Sequence, residues 1–234
     1  MHSDAPLNVL LLEDEGIQRA GTKALIQMAA PRAQIQEAGS YQEAINRLAE
    51  SCFHIAFLDY NLRDQHNGLD VLKAIRRMEV DTRAIILSSH REREIILACI
   101  DAGASGYITK EMDATGVFEK ALQIVFEGGI FLPATALGRG AFSPNVSVPP
   151  MPTLTDSLGL HGRKLEALYY LCQGLPNKLI ARKMGVAEDT VRKDYNPSLF
   201  RLFGVTRRTE LILEVSRRNL IVPKPKSESE HNDD

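Results

Sequence analysis

Residues 8–15 read Asn8-Val9-Leu10-Leu11-Leu12-Glu13-Asp14-Glu15, a short apolar run that ends abruptly in three acids. A run of this length without polar alternation suits a strand buried on both faces of a parallel sheet. The same text returns at His54–Leu58, followed by Asp59, and at Ala84–Leu87, followed by Ser88 and Ser89. Ala33–Ala38 and Ser105–Thr109 are weaker runs of the same kind, the second leading into Lys110. Between these runs apolar residues recur at helical spacing: Ile17, Ala24, Leu25 and Met28; Ala44, Ile45 and Leu48; Leu69, Leu72 and Ile75; Ile95 to Ile100; and Val117, Ala121, Leu122 and Val125. Five strands alternating with five helices predict an α/β fold, a doubly wound five-stranded parallel sheet. Such sheets bind ligands beyond the carboxyl ends of their strands, so the residues just after each run are where chemistry is expected.

Those residues make a coherent set. Two carboxylates about 4 Å apart repel by roughly 4 kcal/mol at an effective dielectric near 20. A place that gathers Glu13, Asp14 and Asp59 is therefore poised for a cation, and oxygen-only ligands suit Mg²⁺. Phosphoryl transfer to a carboxylate needs an oxygen nucleophile, a divalent ion, a fixed cation and a hydroxyl. Asp59, the Glu13-Asp14 pair, Lys110 and Ser88 offer that set. One acid after a strand is commonly a helix cap or a solvated loop residue. Five such groups at the ends of alternate elements point to a site.

The second half reads differently. Between Pro133 and Pro152 the periodicity dissolves, and five of the 11 prolines fall there, with Gly138 and Gly140 among them. Helical patterns resume over Arg163–Gln173, Asn177–Met184, Glu188 to Phe203 and Arg208–Asn219, with no strand pattern. The expected organisation is a first domain over 1–132, a Pro/Gly-rich linker over 133–157, an all-α four-helix domain over 158–222 and a polar, disordered tail over 223–234. The net charge of −2 hides an asymmetry: residues 1–132 carry 13 Lys+Arg against 19 Asp+Glu, and residues 151–222 carry 12 against 7. An acidic half followed by a basic one suggests that the second meets a polyanion. Cys52, Cys99 and Cys172 lack metal spacing, no apolar run approaches the roughly 18–20 residues of a membrane span, and the start has no signal-peptide pattern. These features predict a cytoplasmic protein with reduced thiols and no membrane partner.

Both halves resemble known families. Residues 8 to about 128 resemble the receiver domain of two-component response regulators, with Gly106-Tyr107-Ile108-Thr109-Lys110 the closest stretch. The resemblance makes Asp59 the phosphoacceptor for a sensor histidine kinase. It makes Ser88 the switch hydroxyl, Lys110 the fixed cation and Tyr107 a switch aromatic that rotates inward on phosphorylation. It places Mg²⁺ on Glu13, Asp14, Asp59 and the backbone carbonyl of Asn61. In the helical half Ala181, Gly185 and Val191 have helix-turn-helix spacing. The string Gln173-Gly174-Leu175-x-Asn177-Lys178-x-Ile180-Ala181-Arg182, through Thr190-Val191-Arg192 to Phe203-Gly204-Val205-x-x-Arg208-Thr209-Glu210, resembles the LuxR-type output domain. Together they resemble the NarL/FixJ subfamily over about 190 residues. This implies that Arg192, Lys193 and Asn196 reach the major groove of double-stranded DNA, and that Lys178, Thr190, Arg207 and Arg208 hold phosphates. It also implies a homodimer when active, with Leu211, Ile212 and Val215 of the last helix partly offered to the partner.

The chain departs from these patterns in four places. Arg63 stands where the family has proline, and the following glycine, Gly68, comes one residue late, which predicts a longer loop after Asp59. Arg192 to Phe200 is one residue too long and contains Pro197, so the recognition helix must either bulge or break with Asn196 capping a new helix. Asp194 puts a carboxylate where it would repel DNA, and His161-Gly162 replaces Thr-Pro before the first helix of the output domain. The expected function is phosphorylation-controlled transcription. The alternative is a phosphorylation-controlled protein-binding module whose kinked helical domain no longer reads DNA. A phosphoaspartyl hydrolase is disfavoured, because Asn61 stands where that class has a second carboxylate. The chain is thus expected to be no enzyme beyond self-phosphorylation and self-dephosphorylation.

Overall fold

The computed structural model describes residues 6–63, 65–110, 116–133, 136, 160–218, 220 and 222–225. Most of the linker over 133–157 and of the tail over 223–234 lies outside the described residues. The chain divides into two compact units between Phe126 and Glu127.

The first unit is a parallel sheet of β1 (Asn8–Leu12), β2 (Gln34–Ala38), β3 (Ile55–Asp59), β4 (Arg83–Ser88) and β5 (Gly106–Thr109), ordered β2-β1-β3-β4-β5. Each strand is followed by a helix: α1 (Gly16–Ala29), α2 (Tyr41–Glu50), α3 (Gly68–Arg77), α4 (Arg93–Asp101) and α5 (Val117–Phe126). Val9 to Leu12, Ile55 to Leu58 and Ala84 to Leu87 are buried, as unbroken apolar runs require. Order reverses between β1 and β3, so their carboxyl ends flank a crevice where loops diverge to opposite sides. The weak runs at 33–38 and 105–109 are both strands. Two helix starts are set by capping. Ser40 Oγ accepts from Glu43 N–H, and Asn67 and Asp70 form a reciprocal capping box at α3.

Helix α1 differs from the expectation of an apolar face turned inward. Ile26 is its one fully buried residue, while Ile17 is 91% and Met28 69% exposed. Of the stripe chosen from the sequence, Ile17, Ala24 and Met28 lie on the outside and Leu25 is half-buried, because β1 and its neighbours are covered by the face that carries Ile26.

The second unit holds α6 (Gly162–Cys172), α7 (Asn177–Met184), α8 (Glu188–Thr190), a π-helical segment (Val191–Tyr195), α9 (Asn196–Phe203) and α10 (Arg208–Arg217). Leu168, Tyr170, Ile180, Val191, Leu199, Phe203, Leu211 and Val215 are buried in one apolar core. Gly185 ends α7 with a φ of 63°, the left-handed turn that the helix-turn-helix spacing demands. From Glu188 to Phe203 the helix bulges and does not break. Thr190, Val191, Tyr195 and Asn196 are all right-handed helical, and Asn196 N–H bonds Val191 O, five residues back. Five residues of α-helix would rotate Asn196 about 140° away from Val191 at roughly 100° per residue. The wider turn instead keeps Val191, Asn196, Leu199 and Phe203 all buried. It also suits Pro197, which has no N–H to donate and whose ring would otherwise strike the carbonyl four residues back. On α10, Leu211 and Val215 are buried in that core.

Candidate phosphoacceptor site and nucleic-acid face

The ends of β1, β3 and β5 bring Glu13, Asp14, Asp59 and Lys110 to one cleft of about 440 Å³, which Gln18, Asn61, Arg63 and Ser89 also line. Ligand oxygens of Glu13, Asp14 and Asp59 lie within 4.8 Å of one another. Glu13 is fully buried and the Asp59 side chain only 3% exposed, so their charges are poorly solvated. Lys110 Nζ offsets this, lying 2.8 Å from Glu13 Oε2 and 3.0 Å from Asp59 Oδ1, and donating to Gln18 Oε1 at 2.8 Å. Burial pushes the Asp59 carboxyl up to about 6, with Glu13 adding to the rise and Lys110 opposing it. Burial works against the Lys110 charge, but the carboxylates of Glu13 and Asp59 prevail and raise its pKa. Three hard oxygen donors in a cleft of this size, with the Asn61 peptide adjacent, suit Mg²⁺ by their chemistry. Gln18 was not evident as a site residue. Its only sequence signal is its place in the first turn of α1, just after the acidic run.

The loop after Asp59 is tied down at both ends. Tyr60 N–H bonds Leu87 O at 2.8 Å, Asn61 N–H reaches Asp59 Oδ1 at 3.3 Å, Arg63 N–H reaches Asp14 Oδ2 at 2.9 Å, and Gly68 N–H reaches Tyr60 O at 3.1 Å. A Cβ on Gly68 would run into the Asp59 carbonyl. The late glycine therefore stands where the start of α3 approaches the end of β3, which carries Asp59.

Ser88 is fully buried, and its Oγ accepts from His90 N–H at 3.1 Å. Tyr107 is also fully buried and donates from its hydroxyl to His90 O at 3.0 Å. Burial pushes the Tyr107 phenol up to about 12, so it remains a donor at neutral pH. The ring expected to move inward on phosphorylation is already inward. Together Ser88 and Tyr107 pin the peptide groups on both sides of His90, three residues before α4 begins.

In the helical unit Lys178, Arg192, Lys193 and Arg207 are exposed and Thr190 is half-buried. Arg192 NH2 lies 2.7 Å from Asp189 Oδ1, and Lys193 Nζ lies 2.8 Å from Asp189 Oδ2. The exposed charges from Glu188 to Asp194 are thus three acids and two bases. Asn196 and Arg208 correct the sequence expectation, since both turn inward. Asn196 is buried and donates from Nδ2 to Asn177 Oδ1 at 3.1 Å. Arg208 NH2 donates to the same oxygen at 2.6 Å, and NH1 donates to Leu175 O. Burial brings the Arg208 pKa down to about 10, still cationic at neutral pH. These side chains join the starts of α7 and α10 to the bulged helix. The bulge itself turns Asn196 away from a groove-facing position, and that could not be seen without knowing whether the helix bulged or broke.

Comparison with known proteins agrees with this geometry. Residues 9–122 match the model of the response regulator receiver domain, and residues 159–215 that of bacterial regulatory proteins of the luxR family. The nitrate/nitrite response regulator protein NarL of Escherichia coli K12 is 31% identical over 82% of this chain and 87% of its own length. NarP of the same organism is 29% identical over 93% and 99%. A crystal form of the Salmonella typhimurium RcsB response regulator has the same fold. It is 19% identical, with a TM-score of 0.51 over 91% of this chain and 99% of that one.

Proposed function

The chain belongs to the two-component response regulators that join a receiver domain to a LuxR-type DNA-binding domain, and from this we propose that Asp59 is its phosphoacceptor. The observation that carries the reading is the Asp59 carboxylate itself. It is nearly buried, 3.0 Å from Lys110, and grouped with Glu13 and Asp14 in one oxygen cluster. Glu13, Asp14, Asp59 and the Asn61 carbonyl would hold Mg²⁺. When bound, that ion would neutralise charge on the transferring phosphoryl oxygens. An Asp59 oxygen attacks phosphorus while the donor's imidazole nitrogen leaves, so one P–O bond forms as one P–N bond breaks. Lys110 is held where it can pair with both the nucleophile and the incoming oxygens. Small phosphodonors serve in the same way, and hydrolysis of the acyl phosphate resets the site.

The output follows from Ser88. When its hydroxyl turns to bond the phosphoryl group, His90 N–H loses its partner and the turn into α4 is freed on one side, while Tyr107 still holds the other. The activated chain forms a homodimer in the cytoplasm. It binds double-stranded DNA through Lys178, Thr190, Arg192, Lys193 and Arg207 and controls transcription. No helix among the described residues is long and apolar enough to cross a membrane.

Incubation of the full chain with labelled acetyl phosphate and Mg²⁺ tests this directly. One label per chain is expected, absent in Asp59→Asn, together with a shift to a dimer. Labelling that persists in that variant refutes the assignment. The acids around Arg192 and Lys193 favour a second reading, in which the helical unit meets a protein. A log–log salt slope near −0.9 per phosphate contacted separates DNA binding from that outcome.

A further inference from the structure

The acid cleft carries two built-in cations, and they serve different acids. Lys110 reaches the buried pair, Glu13 and Asp59. Arg63 reaches the outer pair. Its backbone N–H donates to Asp14 Oδ2 at 2.9 Å, its Nε lies 3.8 Å from the same oxygen, and its NH2 pairs with Glu15 Oε1. The Arg63 side chain is 77% exposed, whereas Asp14 is only 12% exposed. The guanidinium is thus a surface group that leans back over the mouth of the cleft. Its planar fork lets it engage both carboxylates at once, which proline at this position cannot do.

We propose that Arg63 is a tethered competitor for the divalent cation and sets the metal affinity of the site. A metal ion that takes Asp14 as a ligand meets a like charge, the guanidinium, with Nε 3.8 Å from the carboxylate oxygen and NH2 paired to the neighbouring Glu15. The bond from the Arg63 backbone N–H can stay, but the guanidinium must be repelled or move aside, and that costs affinity. Lys110 does not play this part, because it is anchored by Glu13, Asp59 and Gln18 and leaves the outer face of Asp14 open. The inference rests on the reading of Glu13, Asp14 and Asp59 as the metal site.

The test is Mn²⁺ binding to the full chain at low ionic strength without phosphodonor, counted from the free-ion electron paramagnetic resonance signal, with Mg²⁺ as competitor. Exposed ion pairs each shift an equilibrium by up to about five-fold, so Arg63→Gln is expected to bind Mn²⁺ roughly two- to ten-fold more tightly. Arg63→Lys should fall between the two, and the gap should close as added salt screens the pairs. Lys73→Gln, which removes an exposed cation on α3 far in sequence from the acids, should bind as the parent does. Asp14→Asn should bind far more weakly. If Asp14→Asn binds as the parent does, the metal-site reading fails and the inference with it. If Asp14→Asn loses binding while Arg63→Gln equals or falls below the parent, the site stands and the role of Arg63 is refuted.

Discussion

Removing the charge from Asp59 should make the protein more stable, although it removes the proposed phosphoacceptor. In the folded chain its carboxyl rises from 3.8 to about 6, chiefly because the group is buried. Holding the ionised form there costs roughly 3 kcal/mol relative to the unfolded chain. The sign follows from linkage. Below about pH 4 the carboxyl is protonated folded and unfolded, and nothing is lost. Between pH 4 and 6 the unfolded chain gives up its proton first, so stability falls, and above pH 6 the full cost is present. Asparagine keeps an acceptor for Lys110 but carries no charge, so Asp59→Asn should recover about 1–3 kcal/mol at pH 7.5 with divalent ions chelated. For a domain of this size that corresponds to a rise in Tm of roughly 4–12 °C. Calorimetry of the full chain at pH 4, 6 and 7.5 measures the gain, and amide exchange in Ile55–Asp59 assigns it to the first unit. The gain should shrink towards zero at pH 4. A variant that is neutral or less stable at pH 7.5, or whose gain is the same at every pH, would refute the account of a strained nucleophile.

Four other substitutions probe the loop after Asp59 and the helical unit. Gly68→Ala drives a methyl group into the Asp59 carbonyl and should destabilise the first unit by roughly 2 kcal/mol or more while slowing phosphorylation, read from denaturant titration and labelling rate. Arg208→Ala strips partners from Leu175 O and Asn177, and should cost the helical unit about 1.5–3 kcal/mol in urea unfolding. Arg207→Ala should leave unfolding unchanged yet flatten the salt dependence of DNA binding by about 0.9, and equal effects from the two would contradict their assigned roles. Asp189→Asn frees Arg192 and Lys193, so DNA affinity at low salt should rise and the salt slope steepen by up to about two; a fall in affinity would mean that Asp189 itself reads a base.

The receiver fold and its acidic cleft were legible because buried parallel strands leave unbroken apolar runs, and the residues that end such runs are forced to one edge. Glu13, Asp14, Asp59 and Lys110 were all found that way. The α1 face was misread because Ile17, Ala24 and Met28 share a helical stripe without facing the sheet, and periodicity alone does not say which side of a helix is covered. Asn196 and Arg208 carried the right residue types at family positions, but their direction depends on a π turn whose choice over a break is made by packing. Gln18 and Arg63 are polar residues near an acidic run. Only the folded loop makes them neighbours of the cleft.

The turn that closes five residues back, between Val191 and Asn196, divides the helix into two blocks with separate angular frames. A helical wheel drawn through Glu188–Phe203 as one regular element turns every residue of the second block out of its true direction by roughly 100°. Grafting a specificity code from a relative with an unbulged helix therefore needs a separate alignment on each side of the seam. A residue copied by sequence offset across it would arrive roughly 100° from its intended direction, and Asn196 shows that such a position can face the interior.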